Sequence, residues 1–297
     1  MSQGKTEIFF HVGLGKTATT YLQYEFFPKL RGIRYIQRTK YKDFDKIYQK
    51  ENVVNRFFIS REFDQQLHRE VKQFGAKYPD AKLIIIFRRH DGWIASQYRR
   101  FVKNGFGGTF TEFYDPDKNT GQWKHDDLDY MSKIKSIEAY FKHKPLVLFY
   151  EDLKANPHIF FDAFAEYLGV SYSKYDISLK PTHKSYNTKQ LKAMRWVGSK
   201  VLSQKPKWSK IRFVRWLQRR SRLLICYLIL YPAMLFPEDW FSNEPLIDPE
   251  ELEKVRIRFA DDWQAVHDYA RKNNWSDHLG TINPSLMRLG KILNKAS

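Results

Sequence analysis

A turn rich in Gly, Lys and Thr follows the first apolar run of the chain. Ile8–Phe10 leads into Gly13-Leu14-Gly15-Lys16-Thr17-Ala18-Thr19-Thr20, and the apolar residues beyond recur at helical spacing. A turn of this kind binds phosphate-like anions, because backbone N–H groups and the helix dipole face the ligand and the lysine adds charge. The usual P-loop template fails, since position 10 is Phe where a glycine is required. The residues predict a phosphate turn shorter than that of an ATPase, with an ordinary strand-to-helix connection as the alternative.

A second apolar run, Leu83–Phe87, ends in two basic residues, Arg88 and Arg89. Its isoleucine-rich composition is typical of a buried parallel strand, and open α/β sheets bind ligands beyond the carboxyl ends of such strands. The basic pair is therefore placed where it could bind an anion, and a guanidinium suits a phosphate. We therefore predict a second anion site here, with a solvated basic turn as the alternative.

A third segment combines a strand, an acidic turn and a helix. Leu146–Phe149 is followed by Tyr150-Glu151-Asp152-Leu153 and Asn156-Pro157, and then by an amphipathic pattern that stops at Gly169. We interpret Glu151 and Asp152 as architectural, since acids at such turns usually cap helices.

In this order, the three segments resemble the sulfotransferases that use 3′-phosphoadenosine-5′-phosphosulfate (PAPS). Lys16-Thr17-Ala18-Thr19-Thr20 is similar to the family's Lys-x-Gly-Thr-Thr loop, although Ala18 replaces a small residue that tolerates positive φ. Arg88 and Ser96 match the spacing of the family's 3′-phosphate residues, and the third segment matches its Tyr-Glu-Asp-Leu and Asn-Pro pattern. The resemblance covers about residues 7–170.

The resemblance implies a nucleotide site and a catalytic pair. Lys16 would stabilise charge on the bridging oxygen of the leaving phosphate. Lys184 and Ser185 loosely match a loop that closes over the 3′-phosphate, and a solvated loop is an equal alternative. The implied PAPS-binding residues are Gly15, Lys16, Thr17, Ala18, Thr19, Thr20, Arg88, Ser96, Lys184 and Ser185.

Glu62 is the first candidate for the general base that an acceptor hydroxyl needs. It lies just beyond an apolar run, and the family presents an acidic base at a comparable Ser-x-Glu strand end. A surface pair with Arg61 is the alternative. The rival bases are His11, His90 and His125, because histidine titrates in the useful range. No metal-binding motif is present in the sequence.

The elements that must position these residues alternate along the chain. We predict strands at 7–12, 53–59, 82–87 and 145–150, and helices at 19–29, 64–77, 92–103, 127–142 and 157–168. This alternation indicates an α/β fold with a central parallel sheet flanked by helices. The resemblance makes it the P-loop-NTPase-like sulfotransferase architecture.

Charge divides the chain into three parts. The 297 residues carry a net charge of +18, and the interval between Asp176 and Glu238 holds no acid but fourteen of the 51 Lys and Arg residues. We predict a PAPS-binding core at 1–176, a basic helical segment at 177–240 and a C-terminal helical part at 241–297, with a long helix at 249–273. A single cysteine, Cys226, and the polar residues after Met1 favour a cytoplasmic enzyme of bacterial type.

The basic segment indicates which partners the protein could bind. Residues 208–236 predict a basic amphipathic helix that could touch a membrane from the inner face, or that folds onto the enzyme with its arginines solvated or holding a polyanion. We expect a sulfuryl acceptor with a hydroxyl or amine, an anionic glycan or glycolipid, and no nucleic acid. The alternative functions are a small-molecule P-loop kinase and a non-catalytic polyanion- or membrane-binding protein.

Overall fold

The computed structural model describes residues 6–51, 54–180, 186–202, 207–237, 240 and 244–276. Internal contacts divide the chain into two units. The first comprises Met1–Arg88, Tyr130–Lys180 and Asp261–Ser297, and the second comprises Arg89–Asp129 and Pro181–Ala260. The functional division at residues 176 and 240, made from motifs and charge, stays a prediction.

Five parallel strands form the sheet of the first unit in the order β2-β3-β1-β4-β5. Their runs are almost wholly apolar because helices cover both faces of a parallel sheet. The predicted α/β class with a central parallel sheet is confirmed. The strands are β1 Glu7–His11, β2 Arg34–Ile36, β3 Arg56–Ser60, β4 Lys82–Phe87 and β5 Leu146–Phe149.

Thirteen α-helical segments are present in the described residues. Several are a single turn, and the longest lie in the second half of the chain. They are α1 Thr19–Tyr21, α2 Phe44–Lys50, α3 Leu67–Gly75, α4 His90–Lys103, α5 Phe110–Phe113, α6 His125–Leu128, α7 Tyr130–Tyr140, α8 Tyr150–Ala155, α9 Pro157–Leu168, α10 Thr188–Val201, α11 Arg212–Leu230, α12 Pro249–Arg258 and α13 Ala260–Ser276.

The helix predicted at 19–29 has the right limits but not a uniform type. After α1 the backbone widens into a π-helix over Leu22–Phe26 and then tightens into a 3₁₀ turn over Phe27–Lys29. Pro28 explains the departure, since a proline inside an α-helix lacks an N–H and clashes with the carbonyl four residues earlier.

Side chains alternate between the two faces of the sheet, as the period of a strand requires. Phe9 and Phe58 belong to a core that includes helix α9 and the turn after α1, where Phe27 stacks with Phe164 at 5.1 Å. Their neighbours Phe10 and Phe57 face the other way. They contact Phe74, Tyr41 and Phe44 of the α2 and α3 layer.

The helix predicted at 249–273 is two helices, because the helical conformation is interrupted at Phe259 between α12 and α13. No Pro or Gly marks this interruption in the sequence. Helix α13 packs on β5, where the His267 ring stacks on Phe149 at 3.9 Å. The Asn274 side chain accepts from the Val147 N–H at 3.2 Å and donates to the Val147 carbonyl. The α13 helix therefore completes the core of the first unit.

The second unit is helical and is built around α4, α10, α11 and α12. Gly107 permits a close approach, because a Cβ there would lie 2.4 Å from Ser199 Cα. The Tyr98 hydroxyl donates to the Gly108 carbonyl at 2.8 Å. Within the described ranges, no helix has both the length and the apolar character that crossing a membrane requires.

Candidate active site

The strand order creates one crevice at the carboxyl edge of the sheet. The chain leaves β1 towards β2 and leaves the neighbouring β4 towards β5, so the two connections diverge. Ligands of open α/β sheets bind at such a switch point. The segments beside it are the loop Val12–Ala18, here called the phosphate loop, and Arg88.

The phosphate loop is fixed by backbone hydrogen bonds to β4. Val12 N–H donates to Ile84 O at 3.0 Å, and Leu14 N–H donates to Ile86 O at 3.1 Å. The Thr17 hydroxyl donates to Leu14 O at 2.7 Å, which closes the turn on itself. The loop is therefore held in one shape before any ligand binds.

Three residues of the phosphate loop have positive φ: Gly13 at 114°, Lys16 at 69° and Ala18 at 60°. Such angles cost a non-glycine residue about 1–2 kcal/mol and persist mainly at functional sites. A glycine at position 18 would adopt this positive φ without strain. Ala18 adopts the same φ, at a cost in backbone strain. Ala18 is also the N-cap of α1 and has no side-chain cap.

Glu62 lies directly against the phosphate loop. Arg61 N–H donates to His11 O at 2.9 Å, and Phe63 N–H donates to Val12 O at 3.0 Å. A Cβ at Gly13 would lie 3.3 Å from Glu62 Cα, so the glycine is what allows this approach. Glu62 Oε1 is buried with no hydrogen-bond partner among the described residues. A buried carboxylate oxygen in this state is costly, and a ligand donor would satisfy it.

Asp64 is a site residue that the sequence reading missed. Its Oδ1 accepts a hydrogen bond from Gly15 N–H at 3.0 Å. A Cβ on Gly15 would lie 3.1 Å from the same oxygen, so glycine makes room for the carboxylate. The only feature of the sequence that marks Asp64 is its position two residues after Glu62. That position indicates a site residue only when the pairing of β1 with β3 is known.

Arg88 connects the ends of three strands. Its Nη1 donates to the Lys16 carbonyl at 3.4 Å, and its guanidinium lies 4.7 Å from the centre of the Tyr150 ring. The Tyr130 hydroxyl donates to the Arg88 carbonyl at 2.9 Å. Burial and the charge of Glu151 raise the pKa of Tyr130 well above its usual value, so this phenol stays a donor. Neither tyrosine was a sequence candidate.

The predicted site residues divide between the units. Lys16, Glu62 and Arg88 lie in the first unit, as do the other phosphate-loop positions. Ser96 lies on α4 in the second unit, so its pairing with Arg88 stays a prediction. Lys184 and Ser185 lie outside the described residues. Across the described part of the chain, no three His, Cys, Asp or Glu side chains are grouped to hold a metal ion.

The three rival histidines each have a local structural contact. His11 is fully buried with Nδ1 2.9 Å from the Ser60 hydroxyl, and burial lowers the pKa of His11 to about 3. The ring of His90 stacks on Phe259 at 4.7 Å. His125 Nδ1 lies 2.8 Å from the Tyr114 hydroxyl, and burial lowers the pKa of His125.

Glu151 and Asp152 lie in the first turn of α8, which begins without a side-chain cap. The cap of the next helix is Asn156, whose side chain accepts from Ile159 N–H at 3.2 Å. The capping role expected of the two acids is therefore not seen at either helix. Burial, and secondarily the charge of Glu151, raises the pKa of Asp152 to about 6.

Asp152→Asn is expected to stabilise the protein more at pH 8 than at pH 4. Folding raises the carboxyl pKa from 3.8 to about 6, but water still reaches the exposed Asp152 residue and screens its charge, so the gain at pH 8 should be on the order of 1 kcal/mol. A raised pKa means that stability is lost as the pH rises through about 6, so the gain should nearly vanish at pH 4. Urea unfolding at both pH values measures it, with Asp80→Asn, an exposed acid paired with Lys142, as the control. An equal gain at both pH values would contradict the burial argument.

Two solved structures are similar to the chain. One is a sulfotransferase from Alicyclobacillus acidocaldarius, with 14% identity over 74% of this chain and 95% of that chain and a TM-score of 0.46. The other is the mouse sulfotransferase SULT7A1 complexed with PAP, with 14% identity over 89% of each chain and a TM-score of 0.41. Both are sulfotransferases. No protein-family model matches the chain, and no curated protein matches it.

Proposed function

We propose that the protein is a PAPS-dependent sulfotransferase that moves a sulfuryl group to a hydroxyl or amine. The observation that carries the proposal is the contact between the phosphate loop and the Glu62 segment at Gly13. Through this contact, the phosphate loop with its lysine lies beside Glu62, whose buried Oε1 is a candidate proton acceptor. Sulfuryl transfer needs both, because a proton must leave the acceptor while charge grows on the departing phosphate.

In the proposed reaction the acceptor oxygen attacks sulfur. A new oxygen–sulfur bond forms as the bond from sulfur to the 5′-phosphate oxygen breaks. Glu62 takes the acceptor proton, and Lys16 stabilises the charge on the oxygen that leaves with adenosine 3′,5′-bisphosphate (PAP). With an amine acceptor the same steps form a nitrogen–sulfur bond.

The residues of the first unit fit the donor's anionic groups. The phosphate loop supplies a fixed turn with the Lys16 charge, and Asp64 holds that turn through Gly15 N–H. Arg88 places a guanidinium next to the Lys16 carbonyl, where it can reach a second phosphate of the same nucleotide. We assign the 3′-phosphate to Arg88, and the role expected of Ser96 stays a prediction.

The charge of the basic segment is the basis for the proposed class of acceptor. The acid-free interval between Asp176 and Glu238 favours an anionic acceptor such as a glycan or glycolipid.

The kinase alternative gains one observation from the structure. A kinase needs an acid near the loop to hold Mg²⁺, and Asp64 is such an acid. Thermal stabilisation separates the two functions. A sulfotransferase should be stabilised by PAP in the presence of EDTA, whereas a kinase should respond to ATP only with Mg²⁺. Stabilisation by Mg²⁺–ATP without any by PAP would overturn the proposal.

Arg88→Ala is expected to weaken PAP binding about 10- to 100-fold, because hydrogen bonds to charged groups contribute about 1.5–3 kcal/mol. Adenosine 5′-monophosphate, which lacks the 3′-phosphate, should lose much less affinity. Titration calorimetry with both nucleotides measures the difference. Arg89→Ala is the matched control, since the Arg89 guanidinium is paired with Asp91 at 2.7 Å. Equal losses for both nucleotides would mean that Arg88 acts through the phosphate loop and does not read the 3′-phosphate.

A further inference from the structure

Helix α11 presents its apolar side chains to solvent. Phe213, Leu217, Leu224 and Leu228 recur at spacings that place them on one face. Their exposed fractions are 69%, 52%, 59% and 65%. Leu235, in the 3₁₀ turn that follows the helix, is 84% exposed. We call these five residues the outer strip.

The arginines on the opposite side of α11 make contacts inside the second unit. Arg222 donates to the Asn104 carbonyl at 3.3 Å and to the Gly105 carbonyl at 3.2 Å. Arg215 donates to the Ser209 carbonyl at 2.8 Å.

Only Cys226 and Leu230 of this helix are buried. Arg222 and Arg215 lie on the same side as these two residues at helical spacing. The inward side of the helix is therefore mixed, with two apolar residues and two arginines, while the outer strip is exposed.

This orientation changes the expectation drawn from the sequence. The sequence pattern suggested an arginine face that meets lipid headgroups. In the structure part of that face is turned inward, and the outer strip is the exposed surface. The alternative, a helical pair folded onto the enzyme body with its arginines solvated or holding a polyanion, stays a prediction.

The charge around the outer strip indicates what can cover it. Residues 207–237 contain no acid and seven Lys and Arg residues, of which five are exposed: Lys207, Lys210, Arg212, Arg219 and Arg220. A second copy of the chain would bring the same exposed positive charges to the contact, which opposes self-association. An anionic lipid surface complements both the apolar strip and the basic charge around it.

Aromatic residues border the outer strip. Trp208, Trp216, Tyr227 and Tyr231 are all more than one-third exposed. Trp and Tyr prefer the membrane–water interface, where the ring is apolar and its edge is hydrated. Arg220 lies 5.6 Å above the Trp216 ring and is itself exposed, so its charge reaches the headgroup level of such a surface.

We propose that the outer strip binds the surface of an anionic bilayer, with α11 lying in the plane of the interface. A helix with apolar side chains on one face and basic residues beside them binds in this way and enters about 5–10 Å into the boundary. This binding is independent of the sulfotransferase activity proposed above.

Vesicle flotation with the full chain tests this proposal. Vesicles of phosphatidylglycerol and phosphatidylcholine should carry the protein, and vesicles of phosphatidylcholine alone should carry at least tenfold less. Raising the salt should weaken the binding, because the headgroup attraction is screened.

The double variant Leu224→Ser with Leu228→Ser should reduce binding to anionic vesicles at least tenfold, since both side chains leave water on binding. Ile257→Ser is the matched control, because Ile257 is equally exposed on α12 of the same unit but lies outside the outer strip. The melting temperature of each variant should stay near that of the wild type, because no buried residue changes.

Equal binding by the double variant and the wild type would overturn the proposal, as would no binding to anionic vesicles. Sedimentation then identifies what covers the strip. A dimer that the double variant dissociates would make the strip an interface between copies, and a monomer without vesicle binding would mean that another segment of the chain covers it.

Discussion

Lys16→Ala is expected to lower turnover about 100- to 1000-fold. Lys16 lies in a fixed turn at the switch point of the sheet, where its charge can meet the charge that grows on the leaving phosphate. Removing one such preorganised donor typically costs this much in turnover. The effect should fall mainly on kcat, because the charge on the leaving oxygen is larger in the transition state than in bound PAPS.

The substitution should leave the fold intact. Lys16 has a φ of 69°, and alanine experiences much the same strain there as lysine. Steady-state rates with PAPS, PAP titration and thermal unfolding separate turnover, affinity and stability. Lys29→Ala, an exposed lysine at the end of the same helical segment, should change none of them. Turnover of Lys16→Ala within a few-fold of the wild type would remove the phosphate loop from the mechanism.

Much of the sheet could be predicted from the sequence because its strands are buried on both faces. β1, β3, β4 and β5 are continuous apolar runs, and each was predicted to within three residues at either end. β2 is an edge strand of three residues with an exposed arginine, so it carries no such signal. The phosphate loop was found for a similar reason, since its Gly, Lys and Thr residues are consecutive in the chain.

The parts of the site that depend on tertiary pairing could not be predicted. Asp64 reaches Gly15 only because β1 and β3 are neighbours, and Tyr150 reaches Arg88 only because β4 and β5 are neighbours. Strand order is not written in the local pattern of any one strand. The two residues were therefore visible in the sequence but had no assigned partner.

The sequence also could not predict which face of α11 packs against the protein. The pattern of α11 defines an apolar face and an arginine face but does not say which one faces the protein. Here the Arg222 guanidinium donates to the Asn104 and Gly105 carbonyls, which turns part of the arginine side inward, while Arg212 and Arg219 on that side are exposed. Such carbonyl acceptors belong to loops, and their positions follow only from the folded chain.

Glu62→Gln is expected to lower turnover about 100- to 10,000-fold, the usual contribution of a positioned general base. Hydrogen bonds from Arg61 and Phe63 to β1 and its loop fix the Glu62 backbone beside Gly13. Its buried Oε1 is without a partner, so it can accept the proton of an acceptor hydroxyl. Glutamine keeps the size and shape of the side chain but cannot take a proton, and the loss should fall on kcat with little change in PAP affinity.

The pH–rate profile and a neighbouring variant make the assignment specific. If Glu62 is the base, the acidic limb of the pH–rate profile should disappear in Glu62→Gln, because the rate falls along that limb as the base becomes protonated. Asp64→Asn should behave differently. It disturbs the carboxylate that receives Gly15 N–H, so PAP affinity should fall while the acidic limb remains. If Glu62→Gln keeps both its rate and its acidic limb, the base is another group, and His125→Gln is the next variant to measure. If Glu62→Gln loses rate and PAP affinity together while the limb persists, Glu62 positions the phosphate loop and does not carry the proton.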